Sequence, residues 1–492
     1  VTDEEPLWGD ELTDPSFEPP DDPWAAPETV AARALDAGEK AVPLANLPEE
    51  FWGARQLFKD VRQAAHATVN SADAVLGSVL ARASGMVSHE LRFDSGRGPN
   101  GSLNLFVAIV APSGIGKTTA VQCADDLVMT PRYLSCGEGR SDMDRFRDGV
   151  GLGTGEGIAE AYMGMIERPT GAVQARSTKT ANAGDPVMKA ERGQVRHNAF
   201  LYLDEGQTLS KMMKERQGTT IGATIRTAWT GQALGQANAQ EATTRFVGRN
   251  MYSLGMVIGY QPAVAQDLLS DGGPGTPQRF LWLSALDPNI PEDGPFMPAR
   301  VVLPLETVDG LALSGVVSFP EAYKADLRRA HRAKVIAEVA VDELDSHEPL
   351  MLCKLAALFC VLDARMAVSG EDIELANLLW RVSCATRDRL MEFGRQEAQR
   401  RKAEKLATRI AETEAVSLAT RGVDHTIDRV ARLIFRRVRS HEGPALRYLL
   451  RKNIGSANKP YFDAALAHAK GQRWVATDED DREVLLGSAT PL

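Results

Sequence analysis

Residues 103–119 read LNLFVAIVAPSGIGKTT, and the order of their parts decides the architecture. LNLFVAIV (103–110) is a short, nearly unbroken apolar run, the pattern of a strand covered on both faces. A proline and two glycines follow, and GKTTAVQCADDLVM (116–129) then takes up a helical pattern. Strand, glycine-rich loop and helix in that order make the phosphate-cradling motif, with Ala111 where its first glycine usually stands. Gly114 and Gly116 permit turns that aim backbone N–H groups inward, and the loop 113–119 (Ser113, Gly114, Ile115, Gly116, Lys117, Thr118, Thr119) is the expected nucleotide cradle. Lys117 supplies a cation for the β- and γ-phosphates, Thr118 a hydroxyl for Mg²⁺, and the helix N-terminus its positive dipole end. The expected ligand is MgATP.

The pattern repeats outward from there. Apolar runs at 199–204, 251–260, 279–285 and 299–305 alternate with helical stretches, which predicts an α/β domain on a parallel sheet over 101–314. The polar stretch 168–198 reads as a long mobile loop. Before this core, 47–100 is a helical lead-in, with Ser71 opening SADAV as an N-cap. After it, 315–423 reads as helices and 424–492 as a winged helix: HTIDRVARLIFRRVRSHEG, a second helix opened by Pro444, a third in NKPYFDAALAHAKGQ, and WVAT and EVLLG around an acidic turn.

Three further stretches carry chemistry. AFLYLDEGQTL (199–209) ends a strand in Asp204, to hold Mg²⁺, and Glu205, to activate the attacking water. GTGEGIAEAYMG (153–164) offers Glu156 as a rival base, or simply as an acid favoured by a helix N-terminus. MVIGYQP (256–262) ends in Gln261, which can sense the γ-phosphate, and GGPGTPQRFLWL (272–283) delivers Arg279 from a loop, as an arginine finger from a neighbouring subunit would be. Arg245 and Arg249 are weaker finger candidates. Gln261 and Arg279 read equally well as a polar strand end and a structural arginine.

Together, NLFVAIVAPSGIGKTT, GTGEGIAEAYMG, FLYLDEGQTL and GYQPAVAQDLLSDGGPGTPQRFLWL resemble the P-loop ATPases of phages and mobile elements, in particular the helicase half of primase–helicase proteins. The resemblance covers about 47–310 and implies a RecA-like core, a hexameric ring, DNA as partner and DNA replication as the setting. It implies the family's roles for Lys117, Thr118, Asp204, Glu205, Gln261 and Arg279. No primase domain is read ahead of the ATPase. TGQALGQANAQEATTRF (230–246) is the candidate pore loop.

Charge divides the chain unevenly. The net charge is −10, but residues 1–50 hold 14 acids against 2 bases, so the remainder is close to neutral at +2. The acidic segment 1–46 is expected to be disordered, with Trp8, Phe17 and Trp24 as possible anchors for a protein partner. Residues 395–459 hold 16 Lys or Arg against 7 Asp or Glu, a cationic surface suited to single-stranded DNA or to a protein partner. No apolar run approaches the ~18 residues of a membrane helix, and the start lacks a signal-peptide pattern, so a cytoplasmic, membrane-free protein is expected. The five cysteines are odd in number with no CxxC pair, the pattern of free thiols. A DNA-acting motor is the leading expectation. An ATP-dependent switch or helicase loader follows, and a small-molecule kinase comes last.

Overall fold

The computed structural model describes residues 46–135, 145–152, 155–173, 186–215, 221–236, 245–269, 275–339 and 344–491. The acidic segment 1–45, Cys136, the middle of the candidate pore loop (237–244) and Gly272–Pro274 lie outside them. The chain divides into two compact units, Val1–Arg395 and Gln396–Leu492.

Unit 1 begins with three helices, α1 (Glu49–Gly53), α2 (Gln56–Ala67) and α3 (Ala72–Met86), and continues through β1 (Leu105–Val110) into α4 (Lys117–Leu127). An edge strand β2 (Phe146–Val150), an antiparallel hairpin of β3 (Met163–Val173) and β4 (Pro186–Gln194), and strands β5 (Asn198–Leu203), β6 (Ser253–Tyr260) and β7 (Phe280–Ser284) follow. Five of these strands form one all-parallel sheet in the order β7-β1-β6-β5-β2, with helices packed against it. Parallel neighbours need crossovers, which the intervening helices supply.

The lead-in helices belong to this core rather than preceding it. Every residue of α3 is buried, its apolar side chains together with Asp73, Ser78, Arg82 and Ser84. It approaches the sheet backbone to backbone: a Cβ on Gly255 of β6 would lie 1.8 Å from the Ala81 carbonyl oxygen. Ser71 caps α3, its side chain accepting from the Ala74 amide at 3.4 Å. At the N-terminal end of β1, α5 (Glu348–Leu362) inserts the buried Lys354, whose ammonium donates to the carbonyls of Ser102, Asn104 and Trp229 at 2.7, 2.9 and 2.9 Å.

Several expectations are corrected. The stretch 168–198 is not a plain loop: its flanks pair as the β3–β4 hairpin, from Met163 opposite Gln194 to Val173 opposite Pro186. Its polar, Gly- and Pro-containing arms lack the apolar alternation that marks a buried strand. Within 299–305 only Val301–Val302 is extended, and it pairs with Val128–Met129 outside the main sheet. Instead the fifth strand is β2, hidden in FRDGV because an edge strand exposes its side chains.

The helix α6 (Gly370–Arg439) is continuous, and the boundary between the two units falls inside it. Gly422 does not interrupt it, since one glycine costs a helix only about 1 kcal/mol. In unit 2, Pro444 does not open a helix. Ala445–Leu446 is a short strand, β8, pairing with β10 (Glu483–Leu486), and α7 starts only at Arg447 (Arg447–Asn453). The third helix is α8 (Phe462–Gly471), preceded by a 3₁₀ turn that carries Pro460. β9 (Val475–Thr477) completes a three-stranded antiparallel sheet ordered β8-β10-β9. Among the described residues, no helix is long and apolar enough to cross a membrane.

Candidate functional site

β1, β6 and β5 are neighbours and run parallel, so the loops leaving their C-terminal ends emerge side by side. Ligands of open parallel sheets bind at that edge. Val110 stands opposite Tyr260, and Ile258 opposite Leu203, so the 111–116 loop, Gln261 and the 204–207 turn all open onto it. There they enclose a cavity of about 410 Å³, lined by all of Ser113–Thr119 together with Asp204, Glu205 and Gln261.

The local geometry explains the glycines. Gly116 caps α4 in the left-handed region (φ 51°), which turns the loop back over the helix N-terminus. No side chain caps that eleven-residue helix, so its first-turn N–H groups have no capping acceptor from the N-cap residue. Lys117 curls over the loop, its ammonium 3.0 Å from the Ala111 oxygen and 2.8 Å from that of Pro112. Burial lowers its pKa, and the Asp204 carboxylate opposes the shift.

Thr118 donates its hydroxyl to Asp204 Oδ1 at 2.6 Å, and Tyr202 donates to the same oxygen at 2.6 Å. The Thr118 bond first, then the Tyr202 bond, hold the Asp204 carboxyl below the ordinary carboxylate range. A hydroxyl and an ionised carboxylate at this spacing are hard oxygen donors of the kind Mg²⁺ takes alongside phosphate oxygens. Glu205 and Gln261 are both exposed at the cavity wall.

Two predicted residues are not brought to this cavity. Glu156, on the short helix after β2, pairs with Arg245 at 2.7 Å, and Arg245 also reaches Glu160 at 2.8 Å. Arg279 immediately precedes β7, so it lies at the opposite end of the sheet from the phosphate-loop motif. It is half-buried, bonds the Gly275 carbonyl, and stands 5.7 Å over the Trp229 ring. Burial, with Arg226 nearby, pushes its pKa down to about 10. Arg249 is exposed beside the turn that precedes β6.

Three contributors escaped sequence reasoning. Tyr202 had a signal, because the period of two in a strand turns it to the same side as Asp204. Gly259 had none: a Cβ there would lie 2.5 Å from the Asp204 carbonyl oxygen. Asn70, buried between α2 and α3, accepts the Thr119 hydroxyl at 2.5 Å and donates to the carbonyl and hydroxyl of Thr68 at 3.0 and 2.8 Å. It ties the phosphate-loop motif to the lead-in, and only the fold brings the two together. No protein-family model matches this chain, and no curated protein does so either.

Proposed function

We propose that unit 1 is a RecA-like P-loop ATPase core and that the chain is an ATP-hydrolysing, DNA-acting motor, a ring-forming replicative helicase of a phage or mobile element. The carrying observation is that Lys117, Thr118, Asp204, Glu205 and Gln261 line one cavity at the ends of three adjacent parallel strands.

In this reading the 113–119 loop holds the phosphates, and Lys117 leaves its own loop carbonyls for the β- and γ-phosphates. Thr118 and Asp204 would hold Mg²⁺, which would supply neutralisation of phosphate charge. Glu205 accepts a proton from water as the water oxygen bonds to the γ-phosphorus. The bond from that phosphorus to the β–γ bridging oxygen breaks, and ADP keeps the electron pair. Glu205 is favoured over Glu156 as base because it lines the cavity, while Glu156 is held by Arg245. Gln261 follows the strand between those of Lys117 and Asp204, which suits a γ-phosphate sensor.

Unit 2 supports the winged-helix reading through its order of helix, short strand, two helices and two strands. Its α8 turns Asp463, Ala464, Ala467 and Lys470 outward, and its one exposed lysine, Lys470, pairs with Asp481 at 3.3 Å. On α7 the exposed Lys452 is the better phosphate contact, since Arg447 is held by Asp463 and Asp481 and Arg451 by Asp463.

One observation favours the second reading, a nucleotide switch or helicase loader: Arg279 is packed onto Trp229 within its own chain. ATP turnover with and without single-stranded DNA separates the two. A motor is stimulated by DNA, loses ~10²-fold or more in Glu205→Gln, and loses stimulation in Arg279→Ala. Glu156→Gln should stay within tenfold of wild type. Turnover indifferent to DNA and to Arg279→Ala would leave the switch.

A further inference from the structure

The cations of unit 2 fall into two sets. Arg447, Arg451 and Lys470, on the side of α8 and the acidic turn between β9 and β10, meet carboxylates. Asp463 takes Arg447 at 2.9 Å and Arg451 at 3.4 Å, and Asp481 takes Arg447 and also Lys470, the latter at 3.3 Å. The second set lies where the last turns of α6 meet the C-terminal end of α7, and there the acceptors are neutral. Arg437 donates to the Asn453 carbonyl at the end of α7. Arg429 donates to the Asn458 side chain at 3.2 Å, in the 3₁₀ turn Ser456–Tyr461.

Arg436 and Arg437 stand about two helical turns beyond Arg429, so all three share one side of α6. Lys452 directly precedes Asn453, and Lys459 directly follows Asn458. Arg429, Arg436, Lys452 and Lys459 are exposed and Arg437 is half-buried, and among the described residues none of the five pairs with a carboxylate. Five like charges gathered from three elements repel one another, which only a polyanion relieves. Tyr448 stands one turn before Lys452 on α7, and its ring is 65% exposed. Cations alone would serve an acidic peptide. An exposed ring beside them suits a phosphate chain that carries unpaired bases.

We infer that this face of unit 2 binds single-stranded nucleic acid, with Arg429, Arg436, Arg437, Lys452 and Lys459 following the phosphates and Tyr448 stacking on a base. The inference rests on the DNA-acting reading and moves its contact surface in unit 2 from α8 to the junction of α6 and α7. Phosphate contact and stacking read no base edge, so binding there tolerates any sequence.

The test follows the fluorescence anisotropy of a labelled oligothymidylate strand against the full chain across a salt series. Arg436→Gln/Lys452→Gln/Lys459→Gln should bind at least about tenfold more weakly, and its slope of log affinity against log salt should fall by about 2, at ~0.7 per phosphate contact. Arg451→Gln/Lys470→Gln/Arg473→Gln removes the same charge from the α8 side and should stay within about twofold of wild type. Tyr448→Ala should weaken binding about fivefold or more, and Tyr448→Phe should restore it. Equal losses in the two triple variants overturn the inference. So does a Tyr448→Ala protein that binds the strand as wild type does while poly-glutamate displaces the strand, a result that assigns the face to an acidic protein segment. Failure of the DNA-acting reading looks different, because wild type would then bind no strand at any salt.

Discussion

Gly259→Ala is the sharpest perturbation of the site because it adds one methyl group and removes no polar atom. Gly259 lies in β6 between the strands of Lys117 and Asp204, opposite Ile109. Its new Cβ would stand 2.5 Å from the Asp204 carbonyl oxygen and 3.6 Å from Lys117 Cδ, whereas ordinary contact begins near 3.4 Å. The obstructing atom is backbone, so rotating a side chain cannot relieve the clash. Either β6 or the turn at Asp204 must move by about 0.9 Å, and overpacking of this kind costs about 1–3 kcal/mol. If Asp204 takes the shift, its 2.6 Å bond to Thr118 stretches to about 3.5 Å, beyond hydrogen-bond range. A displacement near 1 Å at reacting groups costs about 10²-fold in rate. ATP turnover should therefore fall about 100-fold, with a fall of about 1–3 kcal/mol in denaturant unfolding of unit 1. Gly471→Ala in α8, where a Cβ meets nothing within 4 Å, is the control and should change neither. Turnover within threefold of wild type in Gly259→Ala would refute the claimed dependence on Asp204 position.

Other outcomes follow from the same geometry. Asn70→Ala removes the acceptor of the Thr119 hydroxyl and should weaken MgATP binding about tenfold, some 1.4 kcal/mol, in equilibrium titration. Lys354→Met strands three buried carbonyls and should destabilise unit 1 by about 3–5 kcal/mol in urea unfolding. Burial first, then the neighbouring Asp287, push the Asp73 carboxyl up to about 8. The folded chain thus keeps a proton that the unfolded chain releases near pH 4, and stability is lost as pH rises towards 8, by at most about 1.4 kcal/mol per pH unit. Asp73→Asn should flatten that slope between pH 5 and 8 in unfolding midpoints.

Much of the sheet was legible because buried parallel strands must be continuously apolar. β1, β5, β6 and β7 all stand out as such runs, with ends within two residues of their observed limits. The cavity-lining residues were legible for a different reason: backbone turns, a cation and a carboxylate must follow strand ends in a set order. β2 and the β3–β4 hairpin were hidden because strands with exposed faces have no need of apolar residues. Glu156 and Arg279 were assigned by their position relative to strands, and position alone does not reveal a partner. Arg245 claims the first, and Gly275 and Trp229 the second. Asn70 and Gly259 act through contacts across 49 and 55 positions of chain, which local pattern cannot express.

Equilibrium titration of MgATP against the full chain and its Lys117→Ala variant tests the central claim most directly. The account predicts saturable binding by wild type and a loss of at least about 100-fold, some 2.7 kcal/mol, in the variant. Binding of equal strength in both proteins, or none in wild type, would contradict it.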